Sequence, residues 1–395
     1  MSATSGRLAW TDGNAIELLH NGAEFFPSLC AAIEGAQYSI HLETYIFRLD
    51  RSGQVVLQAL ERAARRGVRL RLVLDGFGSA ASAETLVQRL RAAGGQCRIY
   101  RPEPSRLGWL KFSRRRLRRL HRKVAVVDGR IAFVGGINIV DDHDDADPAR
   151  VAPRLDYAVR VEGPLVAQAR QAQALLWLRL NWARHPGLWR HGLGRRDAAA
   201  GQGPLRAALV LRDNLRYRRT FERIYLAGID NARREILIAN AYFFPGRRFR
   251  EALLRAAARG LRVRLLLQGK PDYYLQYFAT RALYEPLLQA GIEIYEYMPS
   301  GLHAKVAVID GIATVGSSNL DPFSLLLARE ANVLVDDAAF AQRLQTSLEQ
   351  VIAEGGQRVR ASAYRQRGWW RRAGDALAYR ALRLAAALTG RRDDY

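Results

Sequence analysis

Cysteine is scarce: Cys30 and Cys97 are the only two in 395 residues. Two thiols cannot build a disulfide framework, and they fit a reducing compartment. A chain this long can bury a useful core without disulfides or structural metals. No run of about 18 apolar residues occurs, which predicts no membrane-spanning helix. The opening MSATSGRLAWTDGN lacks a basic start followed by an apolar stretch. No secretory leader is therefore predicted, and the expected compartment is the cytoplasm. Acidic residues are outnumbered, 38 Asp+Glu against 61 Lys+Arg, for a net charge of +23. Such a chain should gather on polyanions: nucleic acid, an anionic membrane face or a negatively charged substrate. Lysine is rare as well. Only Lys111, Lys123, Lys270 and Lys305 occur, and the remaining 57 basic residues are arginine. A position that stays lysine in such a sequence points to a need for a compact ammonium.

What is present is ordinary for a folded protein: 49% hydrophobic and 25% charged residues. These values exclude disorder and collagen-like repeats. At roughly 100–200 residues per domain, two or three domains are expected. An internal repeat supports this. His121-Arg122-Lys123 leads into Val-Ala-Val-Val-Asp-Gly, and His303-Ala304-Lys305 into Val-Ala-Val-Ile-Asp-Gly, an offset of 182 residues. Upstream, the segment around Tyr45 echoes that around Tyr242, and the strand ending Asp75-Gly echoes the one ending Gln268-Gly. The expected division is a first domain over 1–200, a second over 201–360 and a basic amphipathic segment over 361–395, with the junction near 195–212. Strands are predicted at 38–47, 69–75, 97–101, 123–128, 130–135 and 155–162, then at 236–243, 262–268, 293–297, 305–310, 312–316 and 331–336. Helices are predicted at 53–66, 82–94 and 164–184, then at 214–234, 249–260, 274–290 and 338–352. Alternating apolar strands and helices indicate an α/β class. We expect two similar α/β/α sandwich domains related by a pseudo-two-fold, with mixed, largely parallel sheets. The Asp-Gly pairs at 128–129 and 310–311 mark hairpins within them.

In a strand, residues i and i+2 share a face. His121 therefore projects with Lys123, and His303 with Lys305. After each hairpin come Gly135-Gly136-Ile137-Asn138 or Gly316-Ser317-Ser318-Asn319, small residues that permit close approach of a ligand and an amide that supplies a donor. An acid follows in each half, Asp156 or Glu330. This set suits attack on a phosphodiester. Lysines and asparagines can hold the non-bridging oxygens, one neutral imidazole can be the nucleophile, and a second, protonated one can be the acid. Carboxylates behind the rings would hold tautomer and charge. The scheme requires no metal and no cofactor. Asp128 and Asp310 also read as turn residues, because Asp-Gly turns favour Asp for local hydrogen bonding alone.

These residues resemble the phospholipase D superfamily, whose HxKxxxxD motif occurs here twice and in matching places. Within it, ETYIF (Glu43–Phe47), GGIN, LDYAVRVEGP (Leu155–Pro164), AGIEIYEY (Ala290–Tyr297) and HAKVAVIDG with VGSSNLDPFS resemble bacterial cardiolipin synthases of the type without N-terminal membrane helices. The resemblance implies a phospholipase D-like fold and phosphatidyl transfer between two phospholipids, usually two phosphatidylglycerols, giving cardiolipin and glycerol. It implies a site of His121, Lys123, Asp128, Asn138, His303, Lys305, Asp310 and Asn319, backed by Asp156 and Glu330, with Tyr45, Tyr242 and Ser317 against the substrate. His121 is expected to attack and His303 to protonate the departing glycerol. The implied partners are anionic phospholipids, phosphatidylglycerol and cardiolipin, at the cytoplasmic face of the bacterial cell membrane, where the protein would sit peripherally. The alternative is a phosphodiesterase acting on DNA or RNA with the same histidines. The lipid-transferring motifs and the tryptophan-rich segments argue against it.

Three segments mix aromatic and basic residues and are expected at the lipid surface: Trp109–Arg119, Trp182–Arg196 and the C-terminal stretch with Trp369, Trp370, Arg371 and Arg372. For the last, packing on its own domain is the competing expectation. The acidic loop holding Asp141, Asp142, His143, Asp144, Asp145 and Asp147 reads as a solvated loop, because its spacing matches no defined cation-binding loop.

Overall fold

The computed structural model describes residues 8–102, 118–143, 152–182, 201–212, 220–270, 272–321 and 328–388. The first half runs β1 (Trp10–His20), α1 (Asn21–Glu34), β2 (Ser39–Thr44), α2 (Arg51–Arg65), β3 (Arg69–Asp75), α3 (Ala83–Ala92), β4 (Gln96–Tyr100), β5 (Lys123–Val127), β6 (Ile131–Gly135), β7 (Tyr157–Glu162) and α4 (Leu165–Trp182). The second runs β8 (Leu205–Arg212), α5 (Thr220–Asn231), β9 (Glu235–Asn240), α6 (Arg247–Ala258), β10 (Arg262–Gln268), α7 (Tyr274–Arg281), α8 (Tyr284–Gln289), β11 (Glu293–Tyr297), β12 (Lys305–Ile309), β13 (Ile312–Gly316) and β14 (Glu330–Asp336). It closes with α9 (Ala338–Gly355), β15 (Gly356–Arg358), α10 (Ala361–Arg365) and α11 (Trp369–Leu388).

All strands among the described residues join one sheet of order β15-β11-β10-β9-β12-β13-β14-β8-β1-β7-β6-β5-β2-β3-β4. Read outward from the β8–β1 seam, the two halves repeat one order. The antiparallel pairing of β1 with β8 carries the sheet across the pseudo-two-fold. The expected largely parallel pairing is wrong: only β2–β3, β3–β4, β9–β10 and β10–β11 are parallel. A parallel pair needs a long crossover, usually a helix. Only α2, α3, α6 and the α7–α8 pair supply one, whereas the Asp-Gly hairpins make β5–β6 and β12–β13 antiparallel.

Local sequence explains the helices that cover the sheet. Asp50 accepts the Gly53 N–H at 2.9 Å and starts α2, whose Val56, Leu57, Leu60 and Ala63 are buried at helical spacing. Asp337 does the same for α9 through the Phe340 N–H at 2.7 Å, with Phe340, Leu344 and Leu348 turned inward. Strands β5 and β12 are buried on both faces. Val124, Val126, Val306 and Val308 share one central cluster drawn from both halves. Ala125 faces the first half's own core and Ala307 the second's. The histidine–lysine motifs thus sit at the mouth of rigid, dry strands.

Three features differ from expectation. Strand β1 was not expected; it carries a bulge at Asp12-Gly13-Asn14, with Gly13 at φ +83° between two stretches of pairing with β8. Helix α1 contains Pro27 and was not expected. Within the expected junction region, Leu205–Arg212 form β8, which pairs with β1 and β14 at the centre of the sheet.

Candidate active site

Strands β5 and β12 begin at Lys123 and Lys305, and the histidine of each motif lies two residues earlier on the same face. Each lysine folds back on its own chain. Lys123 Nζ donates to the His121 carbonyl at 2.8 Å, and Lys305 Nζ to the His303 carbonyl. Both ammonium groups are buried.

The acids are exchanged between the halves. His121 Nδ1 lies 3.0 and 3.1 Å from the two oxygens of Glu330, which opens β14. His303 Nδ1 lies 2.6 Å from Asp156 Oδ2, at the start of β7. Backbone bonds across the pseudo-two-fold enforce this. The His121 N–H donates to the Arg329 carbonyl at 3.0 Å, and the His303 N–H to the Leu155 carbonyl at 2.8 Å. With Nδ1 held by a carboxylate, each ring keeps Nε2 for chemistry.

The electrostatics follow from burial. Desolvation lowers the basicity of both imidazoles. At His121 the Glu330 carboxylate opposes this; at His303 the cations Lys305, Lys123 and Arg154 reinforce it, and it falls well below its usual range. Burial also pushes the Asp156 carboxyl up to about 7, against the pull of Lys305 and Lys123. The lysines are pushed down, Lys123 to about 7 and Lys305 to about 8, again chiefly by burial. Their charges are present below those values and lost above them. We therefore expect kcat/KM on an anionic phosphodiester to fall about tenfold per pH unit above pH 7, as Lys123 loses its charge, and more steeply, toward about a hundredfold per unit, above pH 8, where Lys305 is lost as well. A pH–rate profile on vesicles of fixed composition checks this; a flat profile to pH 10, as ordinary lysines would give, contradicts it.

Several expected residues take other parts. Asp128 and Asp310 stand at the far ends of β5 and β12, at φ 52° and 50°. Asp128 accepts the N–H groups of Gln37, Tyr38 and Ser39 at 2.7–2.9 Å. Asp310 accepts those of Arg233, Arg234 and Glu235 at 2.9–3.1 Å. They clamp these turns, five residues along an extended strand from the lysines. The Ser317 hydroxyl donates to Glu330 Oε2 at 2.6 Å, and its carbonyl lies 3.2 Å from His121 Nδ1. The small residues before each asparagine make room for protein rather than ligand. A Cβ at Gly136 would collide with the Asp156 carboxylate, and one at Gly316 with Asn332.

Other expectations fall at the site. The Tyr45 ring lies 4.9 Å from the His121 ring and 5.4 Å from Lys123 Nζ. Tyr242, its counterpart, is 5.8 Å from the ring of Tyr273. Asn138 and Asn319 are buried beside the parallel bridges Phe47–Ile139 and Phe243–Leu320, which tie each asparagine loop to its tyrosine loop. Asn138 Oδ1 accepts the Ile46 N–H at 3.2 Å.

Positioning residues were missed. Asp75 Oδ2 accepts the Leu120 N–H at 2.7 Å, and Gln268 Oε1 the Leu302 N–H at 2.5 Å, fixing the residue before each histidine. The signal was present, a polar residue ending an apolar strand just before glycine in both halves. Asn21 holds Asp156 through both backbone groups, at 2.9 and 3.0 Å, from a φ of 57°.

In the acidic loop, Asp141 accepts from Ser52 and Asp142 from the Gly22 N–H. Asp144, Asp145 and Asp147 lie outside the described residues, as do most of the 109–119 run and the segment after Trp182. Among the described residues no group of three or more His, Cys, Asp or Glu is placed to hold a metal ion.

The chain matches the family model described as "Cardiolipin synthase, PLD-like domain" at residues 29–143 and 225–352, one match per half. It is 41% identical over 395 residues to cardiolipin synthase B of Salmonella typhi, covering 97% of this chain and 91% of that protein. It is 40% identical over 394 residues to cardiolipin synthase B of Escherichia coli K12, with the same coverage. Among solved structures it resembles phosphatidylserine synthase of Haemophilus influenzae, with TM-score 0.65, 15% identity, and 96% and 95% of the two chains covered. That likeness bears on the fold. Two family-model matches, one on each motif, and near-complete coverage at 40% identity settle the relationship: the chain belongs to the phospholipase D superfamily, in its bacterial cardiolipin synthase family.

Proposed function

We propose that this protein is a cardiolipin synthase that moves a phosphatidyl group from one phospholipid, phosphatidylglycerol, to the headgroup hydroxyl of another. The observation that carries this reading is the exchange of acids, which ties two imidazoles and two buried ammonium groups from distant parts of the chain into one cluster. In the first step His121 Nε2 attacks phosphorus. The phosphorus–oxygen bond to the headgroup breaks, and glycerol leaves with a proton from His303. In the second step His303 takes the proton of the incoming hydroxyl. That oxygen bonds to phosphorus, and the phosphorus–nitrogen bond to His121 breaks. Lys123 and Lys305 neutralise the non-bridging oxygens. Binding an anionic diester between them offsets the cations that depress His303, so the substrate itself favours the protonated acid.

Membrane association is peripheral in this reading, at the cytoplasmic face. Among the described residues no helix is long and apolar enough to cross a membrane. Helices α7 and α11 pack together and expose Tyr274, Leu275, Trp369, Trp370, Leu377 and Leu384, while Ala378, Leu382 and Ala386 of α11 are buried in the second half's core. The C-terminal helix thus has one face for its own domain and one suited to a lipid interface.

Purified protein added to phosphatidylglycerol vesicles should yield cardiolipin and glycerol, read by mass spectrometry of the products. Phosphatidic acid alone, or cleavage of nucleic acid with intact lipid, overturns the proposal. The relatives' names favour lipid transfer over the nuclease alternative.

A further inference from the structure

The two halves differ in one respect that matters to the substrate. A cleft opens beside Tyr242, walled by Gln268, Asp272, Tyr273, Gln276 and Tyr277. It adjoins the second histidine: Gln268 in its wall accepts the N–H of Leu302, the residue before His303, at 2.5 Å, and the Tyr273 ring lies 5.8 Å from that of Tyr242. At the matching place in the first half the backbone lies against the tyrosine. Gly78 backs directly onto Tyr45, and a Cβ there would strike the Tyr45 carbonyl and ring. The site is therefore open on the second half's side, next to His303.

We propose that this cleft is the headgroup subsite and takes the vicinal hydroxyls of a glycerol headgroup, on departure from the first lipid and on arrival with the second. This rests on the proposed transfer reaction and adds its specificity. Leaving and incoming alcohols occupy one place relative to phosphorus, so one cleft beside the acid–base histidine serves both.

The wall chemistry selects a hydroxyl. Gln268 is more than nine-tenths buried, and its amide is oriented by the Leu302 N–H bonded to Oε1. Its Nε2 is buried with no hydrogen-bond partner among the described residues, a donor lacking an acceptor. Asp272 supplies an acceptor in the same cleft. A hydroxyl both donates and accepts and can satisfy the two together. An ammonium headgroup carries donors only and would leave the amide unsatisfied, although the tyrosines and carboxylate alone would have suited a cation.

The test is a competition for the phosphatidyl-enzyme. Wild-type protein is given phosphatidylglycerol vesicles together with carbon-13 glycerol and ethanol, and the ratio of labelled phosphatidylglycerol to phosphatidylethanol is read by mass spectrometry. The ratio does not depend on how much enzyme folds or how fast the first step runs. Asp272→Ala should lower it about tenfold, and Asp272→Asn, which removes the charge and keeps the size, should lower it in the same direction. A ratio unchanged in both variants, with transfer still proceeding, overturns the headgroup subsite and leaves the transferase reading standing. Absence of both products with wild-type protein overturns the transferase reading and the subsite with it.

Discussion

His121→Ala should abolish cardiolipin formation, by about 10,000-fold or more, in a protein that remains folded. Losing a group that forms the covalent bond costs on that order, because the remaining binding groups cannot replace it. The ring belongs to none of the hydrophobic clusters; its contacts are Tyr45, Glu330 and the Ser317 carbonyl. Glu330 keeps the Ser317 hydroxyl when the imidazole is gone. His303→Ala should also lose turnover on phosphatidylglycerol, but for a different reason, since the headgroup must then depart as an unprotonated alkoxide. A phosphatidyl ester of p-nitrophenol needs no acid. On that donor His303→Ala should still accumulate a phosphatidyl adduct on His121, and His121→Ala should form none. Intact-protein and peptide mass spectrometry separate the two. Cardiolipin synthesis by either variant at near wild-type rate refutes the assignment, and an adduct on His303 reverses the roles.

The largest stability effect is expected at Glu43. Arg122 lies between the two site residues of its motif, on the opposite face of the chain, where its guanidinium meets the Glu43 carboxylate at 2.7 Å. The side chains are 4% and 2% exposed, so the pair has almost no water to fall back on. Glu43 sits on β2 opposite Val124 of β5, in the middle of the sheet. Arg329 adds a second cation to the same pocket. Glu43→Ala leaves the buried Arg122 guanidinium without its counter-charge, at a cost of about 3–5 kcal/mol. Thermal unfolding should shift down by about 10 °C. A double variant, Glu43→Met with Arg122→Met, replaces both charges by apolar volume and should recover most of the loss. An unchanged melting temperature for Glu43→Ala contradicts this account.

The duplicated motifs were legible because they rest on short-range rules. Alternation along a strand puts His121 with Lys123, and an Asp-Gly turn makes the hairpin that follows. Comparison of the two halves then located Asp156 and Glu330. What remained hidden depends on tertiary pairing. Nothing near His121 says that its carboxylate arrives from residue 330 rather than 156; that follows from Leu120 pairing with Arg329 and Leu155 with Leu302. The bulge at Gly13 hid β1, and with it the seam that makes one sheet of two. Spacing placed Asp128 and Asp310 in the motif, yet strand length carries them to the opposite end from the chemistry. Ser317 looked like a ligand donor because a hydroxyl in a small-residue loop has no visible partner until Glu330 folds over it.

Gene duplication is commonly expected to create a spare, one copy free to drift while its twin keeps working. The crossing of Asp156 to His303 and of Glu330 to His121 removes that freedom. Loss of the acid from either repeat would leave a histidine of the other without its carboxylate, so the two halves stand or fall together.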